Sequence, residues 1–316
     1  MISFRYHIVS IVSVFLALAI GVALGGGPLK GEVDNTLVEQ VRTDRQTKRD
    51  LQAQIANLRS SSGFTDDFAA TVAPSLLGGS LKGRVVDLVV LPTAQQSDVT
   101  GLTKLVGQAG GSVGGTLRVG SQLVDAGKKQ LVDELGSQLE SRASGVSISP
   151  DAGPYERIGA LIARAIGTDE DGGAAVDDPA TSILAGLSTT SLMSAEGDLK
   201  RRGSLVLFVT GPGDGSSEDK KGAATIVDAL VGQVDAGTDG VVLAGPVAAA
   251  RAGGQVKAVR DDVSTARAVS TVDSLGRTAG QVVTVMALAG QAAGRAGQYG
   301  AVDAADGAMP GATGGD

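Results

Sequence analysis

The side chains that most often carry chemistry in proteins are scarce in this chain. It contains no cysteine, and its only histidine is His7. Disulfides, thiolate metal sites, cysteine nucleophiles, Ser-His-Asp triads and histidine-based zinc sites are therefore excluded. Catalysis would have to rest on carboxylates, lysine or serine, and no spacing in the sequence indicates such a set. We expect a protein that is not an enzyme and that holds no cofactor.

The best candidate for a ligand loop is the segment GPGDG at residues 211–215. It follows an apolar run and precedes a helical pattern, which is the context in which backbone amides and a helix N-terminus hold a phosphate. Ser216 stands where the dinucleotide pattern needs its third glycine, and no Gly-Lys-Ser/Thr follows. Asp214, Glu218 and Asp219 would also repel a phosphate. The sequence therefore favours a strand-to-helix loop over a nucleotide site.

The sequence also lacks a pattern of residues that is typical of a metal site. The acidic segment GTDEDGGAAVDDP at residues 167–179 lacks the alternating ligands of a calcium loop. Soft metals such as copper need Cys, Met or His, and past His7 the chain offers only Met193, Met286 and Met309. The first two lie in apolar runs, where methionine usually fills the core. We expect no metal site, so copper stands among the candidate partners without any ligand in the sequence to support its binding. Residues 167–179 are predicted to be a solvated, disordered loop.

The beginning of the chain has the pattern of a membrane anchor. Residues 6–29 contain no Asp, Glu, Lys or Arg. As a helix they reach about 36 Å, more than the roughly 30 Å of a hydrocarbon core, so we predict a transmembrane anchor over residues 1–30. A signal peptide cleaved near residues 23–25 and a buried soluble helix are the alternatives. Arg5 favours a cytoplasmic N-terminus and an extracytoplasmic domain, although basic residues at 30–49 weigh against this orientation.

The next segment, residues 31–62, is predicted to be a coiled-coil helix, which the SSSG at residues 60–63 would end. Seven positions with strict 4-3 spacing form its seam: Leu37, Val41, Asp44, Lys48, Leu51, Ile55 and Leu58. In the anchor, Ala17, Gly21 and Gly25 form a small-xxx-small ladder that lets two membrane helices approach closely. The two patterns together favour a parallel homodimer. The alternative is an amphipathic helix that packs on its own domain.

Residues 63–300 are predicted to form one α/β domain. Short apolar runs at 85–92, 204–211 and 241–246 are typical of strands buried on both faces. Helical patterns alternate with these runs, which predicts a mostly parallel sheet in a three-layer α/β domain. The sequence also predicts a helix at 121–141 capped by Ser121, a helix at 182–193 and a short strand at 266–269. A disordered, acidic, Gly-rich tail is expected over residues 301–316.

The overall charge of the chain restricts the kinds of partner that it can bind. The formal net charge is −7, and the isoelectric point is near 4.9. Because affinity for nucleic acid depends on basic patches, we expect no nucleic-acid binding. The membrane, a second copy of the chain and an envelope protein remain as partners.

Both ends of the chain resemble one known family. The opening MISFRYH at residues 1–7 runs into VFLALAIG at residues 14–21, and this is similar to the start of the actinobacterial copper transport protein B family (MctB). The segments GRTAG at 276–280, VMALA at 285–289 and GQYG at 297–300 are similar to that family's C-terminal helix and its closing Tyr-Gly. The order of anchor, coiled coil and α/β domain also fits. The middle of the chain resembles the family only in layout.

The resemblance implies an extracytoplasmic domain held in the cell membrane by a single N-terminal anchor. It also implies a role in copper homeostasis or efflux, although it carries no functional residue onto this sequence. An alternative function is a coiled-coil scaffold or regulator of cell-envelope assembly or division that acts through protein partners.

Overall fold

The computed structural model of the chain describes residues 4–25 and 29–311, and the segment 29–37 by its backbone alone. The chain divides into two compact units, Met1–Phe64 and Thr65–Asp316. The first unit contains helix α1, Phe4–Gly25, and most of helix α2, Leu29–Leu77. The second unit contains the end of α2 and the predicted α/β domain.

Helix α1 has the length and composition of a membrane span. It is 22 residues long, its most apolar window has a mean hydropathy of 2.6, and none of that window is buried within the protein. Among the described residues it is the one helix that meets these criteria. The exposure separates it from the core helix of a soluble domain, because such a helix would bury its apolar side chains.

Helix α2 is continuous over 49 residues, so the break predicted at residues 60–63 is wrong. Serine and glycine lower helix propensity by at most about 1 kcal/mol per residue, which is too little to end a helix whose last turns pack into a hydrophobic core through Ala73 and Leu77. The helix instead ends at Leu77, just before Gly78 and Gly79. Gly79 has a φ of +75°, the left-handed conformation common after a helix C-terminus.

The α/β domain contains eight further α-helices and nine strands within the described residues. The helices are α3 Gln96–Gln108, α4 Lys129–Glu140, α5 Pro154–Ile166, α6 Asp178–Thr189, α7 Ser217–Asp235, α8 Gln255–Asp261, α9 Val263–Ala268 and α10 Thr278–Gln291. The strands are β1 Val85–Val90, β2 Ser112–Val119, β3 Ala174–Ala175, β4 Met193–Ala195, β5 Arg201–Arg202, β6 Leu205–Val209, β7 Gly240–Ala244, β8 Ser270–Val272 and β9 Gln298–Tyr299.

Seven of the strands form one sheet in the order β4-β2-β1-β6-β7-β8-β9. All neighbouring pairs are parallel except β2 with the edge strand β4. The chain passes from β1 outward to β2 on one side and later continues through β6, β7 and β8 on the other. The strand order therefore reverses between β1 and β6, which is a topological switch point of a doubly wound sheet. The small pair β3-β5 is separate from this sheet.

Two hydrophobic cores cover the faces of the sheet. On one face Val89, Phe208 and Leu243 pack with helices α4 to α8. On the other face the alternate strand residues, such as Leu88 and Leu207, pack with α3, α10 and the last turns of α2. Because every residue of β1, β6 and β7 is buried, these strands are nearly continuous apolar runs rather than alternating ones, with Asp87 of β1 as the charged exception. The predicted three-layer, mostly parallel α/β fold is confirmed.

Three secondary-structure predictions are wrong because aspartate side chains cap helices at positions that the sequence pattern did not indicate. Ser121 does not begin a helix; the Asp125 side chain accepts a hydrogen bond from the Gly127 amide and begins a 3₁₀ turn before α4. Asp177 caps α6 in the same way, so this helix spans 178–189 and Met193 falls in β4. Asp262 caps the helix α9, so the strand predicted at 266–269 starts later, at Ser270.

The start of the predicted disordered tail is ordered by the domain. The Asp273 carboxylate accepts hydrogen bonds from the Ala301 and Val302 amides, at 2.5 and 2.9 Å. The Asp306 carboxylate accepts one from the Gln298 amide at 2.7 Å. The composition of residues 301–316 predicted disorder because the segment has few apolar side chains to bury. Hydrogen bonds to the buried residues Asp273 and Gln298, which lie outside the segment, stabilise its first part instead. Residues 312–316 lie outside the described residues, and the domain boundaries 1–30, 31–62 and 63–300 stay predictions.

Candidate functional site

A cavity of about 550 Å³ lies at the carboxyl edge of the sheet, at the switch point between β1 and β6. Its walls come from the loop after β1, the loop after β6, the turn before α4, the N-terminal half of α7 and the first residue of α8. Ligands of doubly wound folds usually bind in this position, because the loops diverge where the strand order reverses. The volume is in the usual range of small-molecule sites.

The GPGDG loop forms one wall of the cavity, and its first residue must be glycine for a steric reason. A Cβ at Gly211 would collide with the backbone of Thr93, so the loops after β6 and β1 can approach only with glycine at this position. Ser216 then caps α7: its hydroxyl accepts from the Asp219 amide at 3.2 Å, and the Asp219 carboxylate accepts from the Ser216 amide at 2.9 Å. The capping box thus occupies the amides of Ser216 and Asp219, which are then not free to hold a phosphate.

The cavity carries negative charge. Four carboxylates line it, from Asp125, Asp214, Glu218 and Asp219, and no lysine or arginine is among its lining residues. Hydrogen bonds from Ser216 lower the pKa of Asp219, so this group stays ionised near neutral pH. Within the described part of the chain none of the four carboxylates forms an ion pair. An anionic ligand would therefore be repelled here, and a cationic ligand would be attracted.

Gln255 is a second polar feature of the same cavity. It opens α8, its residue is only 6 % exposed, and it lines the cavity. Its Oε1 has no hydrogen-bond partner. A buried polar atom without a partner costs roughly 1–3 kcal/mol, so such atoms in a cavity wall are commonly completed by a ligand or water.

A buried carboxyl group in the middle of β1 is the feature that the sequence reasoning missed. Asp87 is fully buried, and burial raises its pKa to about 8. A bulge in the β1-β2 pairing sets Gly114 and Gly115 opposite Asp87, and a Cβ at Gly114 would lie 2.5 Å from its Oδ1. The Gly203 amide donates to its Oδ2 at 2.7 Å. The only signal in the sequence was one acid within the apolar run VVDLVV.

The acidic segment 167–179 is neither disordered nor merely solvated. Asp171 pairs with Arg84 at 2.6 Å, and Asp177 pairs with Arg164 at 2.7 Å. The Arg164 guanidinium lowers the pKa of Asp177 to about 2. Thr168 is buried as well. The expectation failed because the arginines that order this segment lie outside it, Arg84 before β1 and Arg164 on the preceding helix α5.

The side chains that could bind a metal ion lie apart from one another within the described residues. Among them, no group of three or more His, Cys, Asp or Glu side chains could hold a metal ion. Met193 is buried in β4, Met286 packs beside the core of α10, and Met309 is half exposed near the end of the described chain. The structure thus supplies no positive observation for a copper site at these methionines.

The predicted association surfaces are exposed along their helices. Gly21 and Gly25 have nothing within 4 Å of an added Cβ, and they lie four residues apart, as do Ala17 and Gly21. On α2 the apolar seam residues Val41, Leu51, Ile55 and Leu58 are 45–67 % exposed. Asp44 and Lys48 are exposed too, and the side chain of Leu37 lies outside the described residues. Pairing of two chains through these faces stays a prediction.

Arg260 and Asp273 connect the C-terminal segment to the sheet. Arg260 donates to Asp273 Oδ2 at 2.8 Å and to the Tyr299 carbonyl at 2.8 Å. Gly300 has a φ of +136°, and a Cβ there would collide with the Asp273 carboxylate. Gly300, the glycine of the Tyr-Gly quoted above for the family resemblance, is therefore required by this close approach.

Comparison with known proteins covers nearly the whole chain. A family model described as "Copper transport outer membrane protein, MctB" matches residues 1–310. A protein named Copper transporter MctB from Mycobacterium tuberculosis (strain H37Rv) is 30 % identical over 305 residues, which cover 91 % of this chain and 92 % of the relative. One with the same name from Mycobacterium bovis matches equally. One from Mycobacterium leprae is 28 % identical over 327 residues, which cover 95 % of this chain and 96 % of the relative.

Proposed function

The chain belongs to the copper transport protein B (MctB) family, and from this premise we propose that it acts in copper homeostasis and efflux as a membrane-anchored protein. The observation that carries the proposal is the extent of the family match, which includes α1 and the α/β domain in one alignment. Helix α1 supplies a candidate membrane span. Scaffolding of envelope assembly, the alternative considered above, is not favoured, because the relatives are named copper transporters.

Copper is cargo in this proposal rather than a resident cofactor. The chain has no cysteine and one histidine, His7. The described residues offer no carboxylate or histidine cluster for a metal ion. Soft copper ions prefer sulfur and imidazole ligands, so tight copper storage within the α/β domain is not part of the function we propose.

The orientation that we propose is N-terminus in the cytoplasm and α/β domain outside the cell membrane. The support is the short head with Arg5, which can stay on the cytoplasmic side. The acidic domain after α2 would be soluble on either side of the membrane. The proposed orientation therefore rests on residues 1–5 and on the family resemblance.

We propose further that the chain works as a parallel homodimer. One membrane helix cannot line a path through a bilayer, so a transport role requires association of several helices. The small-residue ladder of α1 and the exposed apolar seam of α2 would bring two parallel copies together. An envelope protein partner could add to this assembly.

We also propose that the chain is not an enzyme. The support is the sequence, which leaves only carboxylates, lysine and serine for catalysis and spaces none of them as an acid–base or nucleophile pair.

Complementation of copper tolerance tests the function. The full chain would be expressed in a mycobacterial strain that lacks its own Copper transporter MctB, and growth would be followed at rising copper concentrations. We expect the full chain to restore growth and a chain without residues 1–28 to fail, because it lacks the anchor. Normal membrane insertion of the full chain without any gain in tolerance would contradict the proposed function.

A further inference from the structure

The cavity at the β1-β6 switch point has no role in the function proposed above. It combines an apolar floor, made by Leu91, Val124 and Val227, with an acidic rim. Leu91 and Val227 are at most 2 % exposed, so the floor is continuous with the hydrophobic core. An apolar interior with a few polar groups at fixed positions is the usual composition of a small-molecule site.

The negative charge at the rim of the cavity determines which charge a bound ligand can carry. Asp125 and Asp214 each use one oxygen to accept from a loop amide, of Gly127 and Gly215, at 2.8 and 2.7 Å. Their second oxygens, and those of Glu218, remain for another donor, since no ion pair involves these groups in the described chain. A ligand with N–H donors and positive charge would satisfy them, whereas a phosphate or carboxylate would not.

Gln255 provides an independent indication of a ligand. The residue lines the cavity, it is nine-tenths buried, and its Oε1 lacks a donor. The missing partner of an amide oxygen is an N–H or O–H group. Because this oxygen has almost no accessible surface, a donor on the ligand would reach it only after the Gln255 side chain turns toward the cavity, while the carboxylates at the rim neutralise the positive charge.

We propose that this cavity binds a small organic cation, a molecule with an apolar body and a single ammonium or guanidinium head. A bare divalent metal ion fits less well, because the described residues contain no group of three carboxylate or imidazole ligands close enough to coordinate one. The proposal goes beyond copper transport and does not depend on it.

Calorimetry with matched probes tests the proposal. The full chain in lipid nanodiscs would be titrated with pentylammonium chloride, 1-pentanol, sodium pentanoate and calcium chloride, with empty nanodiscs as the blank. We expect one pentylammonium per chain, bound at least about tenfold tighter than 1-pentanol, a ratio that corresponds to about 1.4 kcal/mol. Equal binding of pentylammonium and 1-pentanol, tighter binding of calcium or pentanoate, or no pentylammonium binding would overturn the proposal.

Two variants locate the site. Gln255→Leu should weaken pentylammonium binding by about tenfold, since it removes the buried acceptor. Glu218→Gln, on the exposed rim, should weaken it at least about twofold and is not expected to affect folding. Glu134→Gln, which removes an exposed carboxylate of α4 outside the cavity, is the matched control and should bind as the unmodified chain does. Unchanged binding in both Glu218→Gln and Gln255→Leu would place the cation elsewhere and overturn the assignment.

Discussion

Arg260 and Asp273 form a buried ion pair, with Nη1 of the arginine 2.8 Å from Oδ2 of the carboxylate. Their side chains are 7 % and 0 % exposed. Arg260 also donates to the Thr271 hydroxyl at 2.8 Å, and Asp273 accepts from the amides of Ala301 and Val302. The pair therefore fixes α8, β8 and the chain after β9 to one another.

We expect Arg260→Ala to lower the free energy of unfolding by about 3–5 kcal/mol, because it leaves the buried Asp273 charge without a counterion. Urea unfolding followed by circular dichroism measures this loss. Arg267→Ala is the control: this exposed arginine of α9 has no ion pair in the described chain, and its removal should change stability by no more than about 0.5 kcal/mol. Equal effects of the two substitutions would show that the buried pair is not a stabilising contact.

The buried carboxyl of Asp87 predicts a pH-dependent stability. Its pKa is raised from 3.8 in the unfolded chain to about 8 in the folded protein. The folded state therefore holds a proton that the unfolded state releases, and stability falls as pH rises from about 4 to about 8, by at most about 1.4 kcal/mol per pH unit. Above the folded-state pKa both states are ionised and this dependence ends.

Asp87→Asn should remove that dependence, because the amide keeps an acceptor for the Gly203 amide and cannot ionise. Urea unfolding at several pH values would show a flatter profile and a higher stability at neutral pH than the unmodified chain has. Glu134→Gln, exposed on α4, is the control and should leave the slope unchanged. The same slope with asparagine at position 87 would disprove the assignment of the proton to this group.

The exposed seam of α2 predicts a dimer that charged substitutions in the seam would dissociate. Leu51→Asp combined with Ile55→Asp places two carboxylates in an apolar interface and should convert a dimer to monomers. Sedimentation of the detergent-solubilised chain measures the change. Ala53→Asp with Asn57→Asp adds the same charges outside the seam and should leave the dimer intact. A chain that sediments as a monomer before any substitution would remove the basis of this prediction.

The proposed orientation can be measured directly, because the chain has no cysteine of its own. A single Ser149→Cys substitution places a thiol on an exposed loop of the α/β domain. In intact cells we expect a membrane-impermeant maleimide to label this position and to leave a Ser3→Cys variant unlabelled. The reverse pattern would place the domain in the cytoplasm and refute the proposed topology.

The central strands were predictable from sequence because both of their faces are buried. The runs at 85–92 and 204–211 contain β1 and β6, and the run at 241–246 covers all of β7 except Gly240, since burial on two sides favours nearly continuous apolar residues. The short strands β3, β5 and β9 were not predicted. Two residues each carry too little pattern, and these pairs form only after distant segments have met.

The cavity was predictable only in part. The sequence placed a loop at residues 211–215 after a strand and before a helix, and it gave physical reasons against phosphate at Asp214 and Glu218. It could not give the strand order, so it could not reveal that this loop and the loop after β1 diverge at a switch point. Nor could it show that Gln255, at the start of α8, lies in the same wall.

The central claim is that this chain lowers the copper content of cells from a position in the membrane. Cell-associated copper, measured by mass spectrometry in a mycobacterial strain without its own Copper transporter MctB, tests this claim most directly. We predict that the full chain lowers the copper content at a non-toxic external concentration and that the chain without residues 1–28 does not. An unchanged copper content in cells that carry the full chain in their membrane would contradict the account.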